Sequence, residues 1–415
     1  MQLIADFHIH SKYSRATSKD MDLENLDKWA KIKGIQVLGA GDFTHPVWFS
    51  ELKNKLVPAE AGLFRLKTEK DGLRFILTSE ISCIYKKGDK VRKIHLIITA
   101  PSLEVVEKIN THLNKIGNIK SDGRPILGLD AKELAKIILD ISKDCQIIPA
   151  HAWTPWFSIF GSKSGFNTIE ECFEEYAPYI KAIETGLSSD PAMNWKLSAL
   201  DKVGLISNSD AHSPAKIGRE ANALDCEMNY SSVIDAIHSR DPKKFIYTIE
   251  FFPEEGKYHF DGHRACNISL SPKQSKKYNN ICPTCGKLLT IGVLNRVDEL
   301  ADRADGFVPQ KAVPFKSLIP LTEVIADAIG TSVVSKQVGI EYKNLITNIG
   351  SEFRILLDSP RKDLESVTKP EIAEAIMRVR EGKVFIEPGY DGVYGKIKIF
   401  KPGDIKDPIK QKKLF

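Results

Sequence analysis

The 415-residue chain has room for two or three domains, each with its own core. Hydrophobic residues make up 42% and charged residues 27%, the balance of a globular protein, and no apolar run approaches the roughly 18 residues that a membrane span requires. A net charge of +5 permits a polyanionic partner without demonstrating one, and seven scattered cysteines, an odd number, argue against a disulfide framework.

The first residues enter a strand pattern at once, with no basic and apolar leader, so a reducing, cytoplasmic location without membrane contact is expected. From residue 1 to 255, short apolar runs alternate with amphipathic stretches, which predicts an α/β domain. Seven runs read as buried strands, at 3–8, 37–41, 75–79, 95–99, 146–150, 182–184 and 204–207. Helices are expected between them at 22–33, 103–116 and 130–142. Residues 256–290 turn basic and polar and hold three clustered cysteines. From 291 to 415 helical patterns return, at 295–304, 321–329 and 369–381, before a strand-like 395–400 and a Lys-rich end. The expected domains are therefore 1–255, a small metal-binding unit at 256–290, and a mainly helical 291–415.

Chemistry gathers at the strand ends. His8 and His10 are two residues apart, so an extended backbone turns both side chains to one face, and Asp210 with His212 repeats that spacing. Asp42, Glu80, His151 and Glu184 close other strands, while His95 opens the fourth. In a barrel of parallel strands the C-terminal ends share one rim, so these residues would converge on one pocket. Imidazoles mixed with carboxylates suit Zn²⁺, Mn²⁺ or Fe²⁺ better than an all-oxygen cage does. Singly, each residue has a plainer reading: Glu80 and Asp42 as helix N-caps, His45, His112 and His238 as surface or hydrogen-bonded side chains. Their joint occurrence favours metal. Asp190, in Ser188-Ser-Asp-Pro191, reaches the same rim by topology, to bind a metal or orient water, with a turn role competing.

Two further signals follow. His263-x₂-Cys266 and Cys282-x₂-Cys285, fifteen residues apart, have the spacing of a closed structural zinc site, with His259 an alternative fourth ligand. Cys83, Cys145, Cys172 and Cys226 lie in apolar surroundings and read as unligated. Lys273, Lys276 and Lys277 between the pairs are candidate contacts to nucleic-acid phosphates, or a solvated loop. The loop after the fifth strand carries Trp153, Trp156, Phe157 and Phe160 beside His151, aromatics suited to a base taken out of a duplex or to packing the loop itself.

The run Asp6-Phe-His-Ile-His-Ser11 resembles the opening motif of the polymerase and histidinol phosphatase (PHP) superfamily, and Asn208-Ser-Asp-Ala-His212 its closing motif, with Glu80, His95 and His151 in matching order between them. The resemblance implies a distorted seven-stranded (β/α) barrel holding three metals. His8, His10, Glu80 and Asp210 would form the first site, with Glu80 bridging to His95 and His151. A third site normally takes Asp-His after the second strand, but Phe43 follows Asp42 here. Asp42 and His212 complete the expected ligands, with His45 as a substitute and Mg²⁺ or Mn²⁺ as the third ion.

Beyond the barrel, Gly262-His-Arg-Ala-Cys266, Ile281-Cys-Pro-Thr-Cys-Gly286 and Val297-Asp-Glu-Leu-Ala-Asp-Arg303, with His151-Ala-Trp-Thr-Pro-Trp156, resemble the endonuclease Q family. That implies a DNA repair endonuclease acting on double- or single-stranded DNA. It would cut 5′ of deaminated bases (hypoxanthine, uracil, xanthine) and abasic sites by metal-activated water, with Zn²⁺ in barrel and knuckle and Asp190, Asp210 and His212 in catalysis. Trp153, Trp156 and Phe157 would form the base pocket. The alternative is a PHP-type phosphatase of a small phosphomonoester, which has no need of a knuckle. Finally, Gln411-Lys-Lys-Leu-Phe415 resembles a sliding-clamp-binding tail.

Overall fold

The computed structural model describes residues 1–401, and the clamp-like segment 411–415 lies outside the described residues. Seven strands form a ring: β1 (Gln2–Asp6), β2 (Val37–Gly39), β3 (Arg74–Lys87), β4 (Lys90–Ala100), β5 (Gln146–Pro149), β6 (Ala182–Glu184) and β7 (Gly204–Ile206). Each grows from one of the seven apolar runs, because a strand covered on both faces needs apolar side chains along its whole length. The pairs β1–β2, β2–β3 and β6–β7 are parallel. Short bonds close the ring. Ala152 N–H donates to the Glu184 carbonyl (2.9 Å) between β5 and β6, and His10 N–H to that of Ala211 (3.0 Å) between β1 and β7.

One strand departs from the all-parallel expectation. β4 runs antiparallel to both β3 and β5, in a long hairpin whose register pairs Ser82 with His95. Its reversed direction is why His95 opens its apolar run yet still faces the rim where the other strands end. The barrel is distorted, and this hairpin is the distortion.

Helices lie between the strands where expected, and their ends are set by local chemistry. Leu23–Lys33 starts where the Asp22 carboxylate accepts the Asn25 N–H (2.9 Å) and stops at Gly34, whose φ of +89° suits glycine. Leu103–Ile116 and Ala131–Ile141 are capped in the same way by Ser102 and Asp130. Outside the ring, β8 (Ala221–Asp225) pairs antiparallel with β1, β9 (Phe245–Glu250) with β8, and β10 (Phe315–Ser317) parallel with β9. β10 thus brings a piece of the expected helical region into the barrel's sheet.

C-terminal helices follow at Val293–Leu300, Leu321–Ala328, Lys336–Asn348, Arg361–Val367 and Pro370–Arg380, and then a hairpin of Phe385–Glu387 and Lys396–Lys398. They are tied to the barrel by buried polar contacts. Lys33 Nζ meets Glu352 Oε2 at 2.8 Å, and the Arg296 guanidinium donates to Phe160 O, Phe166 O and Asn167 Oδ1. No described helix is long and apolar enough to cross a membrane.

Candidate metal centre and its cavity

Ligand atoms of His8, His10, Glu80 and Asp210 lie within 4.8 Å of one another, and so do those of Glu80, His95 and His151. Glu80 belongs to both groups because its two oxygens face opposite ways. Oε2 lies 3.4 Å from His8 Nε2 and 3.2 Å from His10 Nε2, while Oε1 lies 2.6 Å from His95 Nδ1 and 3.1 Å from His151 Nε2. Asp210 Oδ1, 3.0 Å from His10 Nε2, closes the first group.

Each of the first two imidazoles is held from behind. His8 Nδ1 lies 3.0 Å from Glu184 Oε1, and His10 Nδ1 lies 3.1 Å from Asp42 Oδ1. Such a carboxylate fixes the proton on Nδ1 and leaves the Nε2 lone pair aimed at the centre. His8 Nε2 is buried with no hydrogen-bond partner, an expensive arrangement unless a cation completes it. Asp42, His151 and Asp210 all have positive φ (47°, 30° and 46°), backbone strain of the kind that collects at functional sites.

The charges agree. Burial alone would keep His8 neutral, yet Glu184, Glu80 and Asp210 outweigh it and raise its pKa well above 6.5; Asp42, Asp210 and Glu80 do the same to His10. The pocket therefore carries more negative charge than its side chains neutralise. His95 goes the other way: burial drives it down to about 4 against the pull of Glu80, leaving a neutral imidazole ready to ligate. Buried imidazoles, two of them backed by carboxylates, with Glu80 turning one oxygen to each group, fit a pair of divalent transition-metal ions.

A cavity of about 460 Å³ opens from this centre, lined by His95, His151, Asp210, Arg124, Trp156 and Phe157 among others. Trp156 is 50% exposed at its mouth. Farther away, His263, Cys266, Cys282 and Cys285 form a third cluster, with Cys285 Sγ 3.3 Å from His263 Nδ1. Burial opposes ionisation of Cys282, yet the amides of Cys285 and Thr284 pull its thiol down to about 6, the tuning that a thiolate ligand requires. His259 is not in the group; its ring is buried against Phe260.

The structure of the lesion-specific endonuclease PfuEndoQ from Pyrococcus furiosus is similar to the whole chain: TM-score 0.85 at 32% identity, over 96% of this chain and 95% of that one. Endonuclease Q in complex with a 27-mer duplex carrying an abasic lesion at the active site gives 0.84 at 32% identity, over 97% of both chains. The protein YqxK of Bacillus subtilis is 30% identical over 96% of this chain and 99% of its own length. The chain belongs to the endonuclease Q family. MJ0043 of Methanocaldococcus jannaschii is 34% identical over 264 residues, and the matched part of this chain spans about a third of that relative, 32% of its length. The family model described as the MJ0043 C-terminal domain matches residues 320–383, the helices that brace the endonuclease Q barrel here.

Within this endonuclease Q fold, several expected site residues stand elsewhere. Asp42 is not among the clustered ligands: its Oδ2 accepts from Ser11 N, Ser11 Oγ and Ser14 Oγ (2.6, 2.7 and 2.8 Å), so it orients His10 with both oxygens engaged. His45 caps the helix Pro46–Lys55 and stacks on Tyr13. His212 lies beside the cluster, its ring 4.5 Å from that of His10 and its Nδ1 2.9 Å from the Asp210 carbonyl. Asp190 also lies outside the clusters and caps Pro191–Asn194 through the Met193 N–H (2.8 Å). Trp153 cannot stack on a base: it is fully buried against Phe160, with Nε1 donating to Asn194 Oδ1. Lys273 is exposed and paired with Asp305, and Lys276 and Lys277 are exposed at the end of the helix Pro272–Lys277.

Sequence reasoning missed Arg124, whose Nη1 lies 3.0 Å from Glu80 Oε2 in the cavity wall. The only local signal is Gly123: a Cβ there would strike Asp42 Oδ2 and Ser14 Oγ, so the bare backbone lets the loop drop Arg124 into the site. Glu184 was visible as a strand-end carboxylate, but its work on His8 Nδ1 was not.

Proposed function

We propose that this member of the endonuclease Q family is a metal-dependent DNA repair endonuclease that opens the phosphodiester 5′ of a deaminated base or abasic site. The observation that carries the reading is the pair of ligand groups sharing Glu80 at the floor of an open, aromatic-rimmed cavity. The abasic duplex bound by a relative of the same fold supports damaged DNA as the substrate. His8, His10, Glu80 and Asp210 would hold one ion and Glu80, His95 and His151 another, with Zn²⁺ proposed there and in the knuckle and Mg²⁺ or Mn²⁺ for any third barrel ion. Bound divalent ions supply Lewis acidity toward a phosphate oxygen and activation of water.

The chain's own groups do the rest. Glu184 and Asp42 keep the Nε2 atoms of His8 and His10 aimed inward. Arg124 is a fixed cation in the wall, placed to stabilise charge on a phosphate as it develops. His212 bonds through Nδ1 to the Asp210 carbonyl, which puts its proton there and leaves Nε2 with a lone pair to accept a proton or ligate. Burial and the nearby His10 lower its pKa, which keeps the ring neutral for that work. Asp190 enters as a positioning residue, since it caps the turn that follows the cavity-lining residues Gly186 to Ser188. Trp156 and Phe157 offer ring faces to an extruded base, whose release from the duplex costs less when it pairs poorly.

Duplexes carrying one hypoxanthine, uracil or abasic site should be nicked on the 5′ side, leaving 3′-hydroxyl and 5′-phosphate ends. Asp210→Asn should slow nicking on the order of 10³-fold, as loss of one preorganised charge does. Equal cutting of undamaged duplex, or rapid hydrolysis of small phosphomonoesters without nicking, would overturn the reading.

A further inference from the structure

Lys93 sits on β4 two residues before His95, and the register pairs Ile84 with Lys93 as it pairs Ser82 with His95. Side chains two apart on a strand share a face, so Lys93 stands on the cavity side of the hairpin, one step outward from a metal-ligand candidate. Its Nζ lies 5.0 Å from the ring centre of Trp156 and 5.3 Å from that of Phe157. The Phe157 ring in turn lies 4.7 Å from that of His95, and the His95 N–H donates to the Phe157 carbonyl, which ties the aromatic loop to the strand.

Two other cations of the hairpin are engaged: Lys87 pairs with Glu174, and the Arg92 guanidinium donates to the Gly165 carbonyl while lying over the Phe166 ring. Among the described residues Lys93 forms no ion pair with a carboxylate, although it is only half-exposed and lies on two aromatic faces. Cation–π contact fixes an ammonium in place without neutralising it, so the charge stays available to an anion arriving at the cavity mouth.

We propose that Lys93 is a positioning residue that binds a DNA backbone phosphate flanking the lesion, and that its seat on Trp156 and Phe157 couples phosphate capture to stacking of the extruded base. This rests on the reading of the chain as a lesion endonuclease. It assigns Lys93 to substrate binding and not to the chemical step. Through the shared rings, a base on Trp156 and a phosphate on Lys93 each hold the surface that the other needs.

The test measures binding to a duplex carrying one hypoxanthine, with a methylphosphonate at the cut position, across a salt series, alongside nicking of the ordinary hypoxanthine duplex. Lys93→Met keeps the aliphatic stem and removes the charge. It should reduce the slope of log K against log salt by about 0.9, the share of one phosphate contact. It should also raise KM for nicking more than it lowers kcat, and Lys93→Arg should restore both. The double variant Lys93→Met with Trp156→Ala should weaken binding less than the product of the single effects. A wild-type slope in Lys93→Met, in protein that still nicks, overturns this inference alone. Strictly multiplicative single effects overturn the coupling. A wild-type protein that binds the duplex but nicks no lesion overturns the functional reading and leaves the slope to judge Lys93.

Discussion

At the scale of single residues, the centre depends on which atom of each side chain faces inward. The spacing of His8 and His10 places both rings on one face, and with the strand-end carboxylates Glu80 and Asp210 they form a candidate ligand group whose members were legible before any fold was known. What spacing could not give was the partner of each atom. Asp42 and Glu80 look alike in sequence, as carboxylates closing strands, yet Glu80 faces four imidazoles while Asp42 spends both oxygens on His10, Ser11 and Ser14. Glu184→Gln should therefore lower metal affinity about 10- to 100-fold while leaving the ligands in place, measured by titration of chelator-washed protein. Unchanged affinity would remove Glu184 from the centre.

A second buried carboxylate carries a pH signature. Burial pushes Glu250 up to about 8 against hydroxyls donated by Thr185 and Ser207, and Glu220 close by is raised as well. A carboxyl whose folded pKa exceeds its ordinary 4.5 binds a proton that the unfolded chain has released. Its stabilisation is therefore complete below about pH 4.5 and is lost as pH rises through about 8. With metals saturating, the thermal midpoint should fall between pH 5.5 and 8.5, and Glu250→Gln should flatten that fall. An identical pH dependence in both proteins would show that Glu250 is ionised in the folded state.

At the scale of elements, the apolar runs located all seven barrel strands, since a strand buried on both faces is apolar throughout. They could not give direction, because an apolar run reads the same from either end. β4 is the casualty of that symmetry, and β10 is too short, at three residues, to stand out among helices. Trp153 and Trp156 were equally ambiguous: two tryptophans three residues apart in one loop, one packed inside and one half in solvent. The knuckle was easier, because a turn that presents two thiolates has a fixed spacing. Cys282→Ser or Cys285→Ser should lose about one metal equivalent by elemental analysis and lower the thermal midpoint, because the site contributes folding free energy. His259→Ala should keep that equivalent, and its loss there would return His259 to the ligand set.

At the scale of the molecule, the C-terminal helices and the barrel share buried polar contacts that no sequence pattern announces. Lys33 and Glu352 come from opposite ends of the chain and are both buried. Removing one member strands the other's charge, so Glu352→Leu should cost about 3–5 kcal/mol in urea unfolding, and pairing it with Lys33→Met should recover much of that loss. A single-variant cost below about 1 kcal/mol would mean that solvent reaches the pair.

The ring is also closed by its first strand. It meets β7 where His10 bonds Ala211 and faces Asp210, so the residue that completes the first ligand group leaves the ribosome some two hundred positions after His8 and His10. At roughly 5–20 residues per second that is a delay on the order of 10–40 s, during which the group of His8, His10 and Glu80 lacks its last carboxylate. The knuckle, whose ligands span only His263 to Cys285, is translated later but completes its set within about 1–5 s of starting. In a growing chain an ion bound by the knuckle would therefore be captured almost as soon as its ligands emerge, whereas ions bound by the barrel would wait for the ring to shut around them.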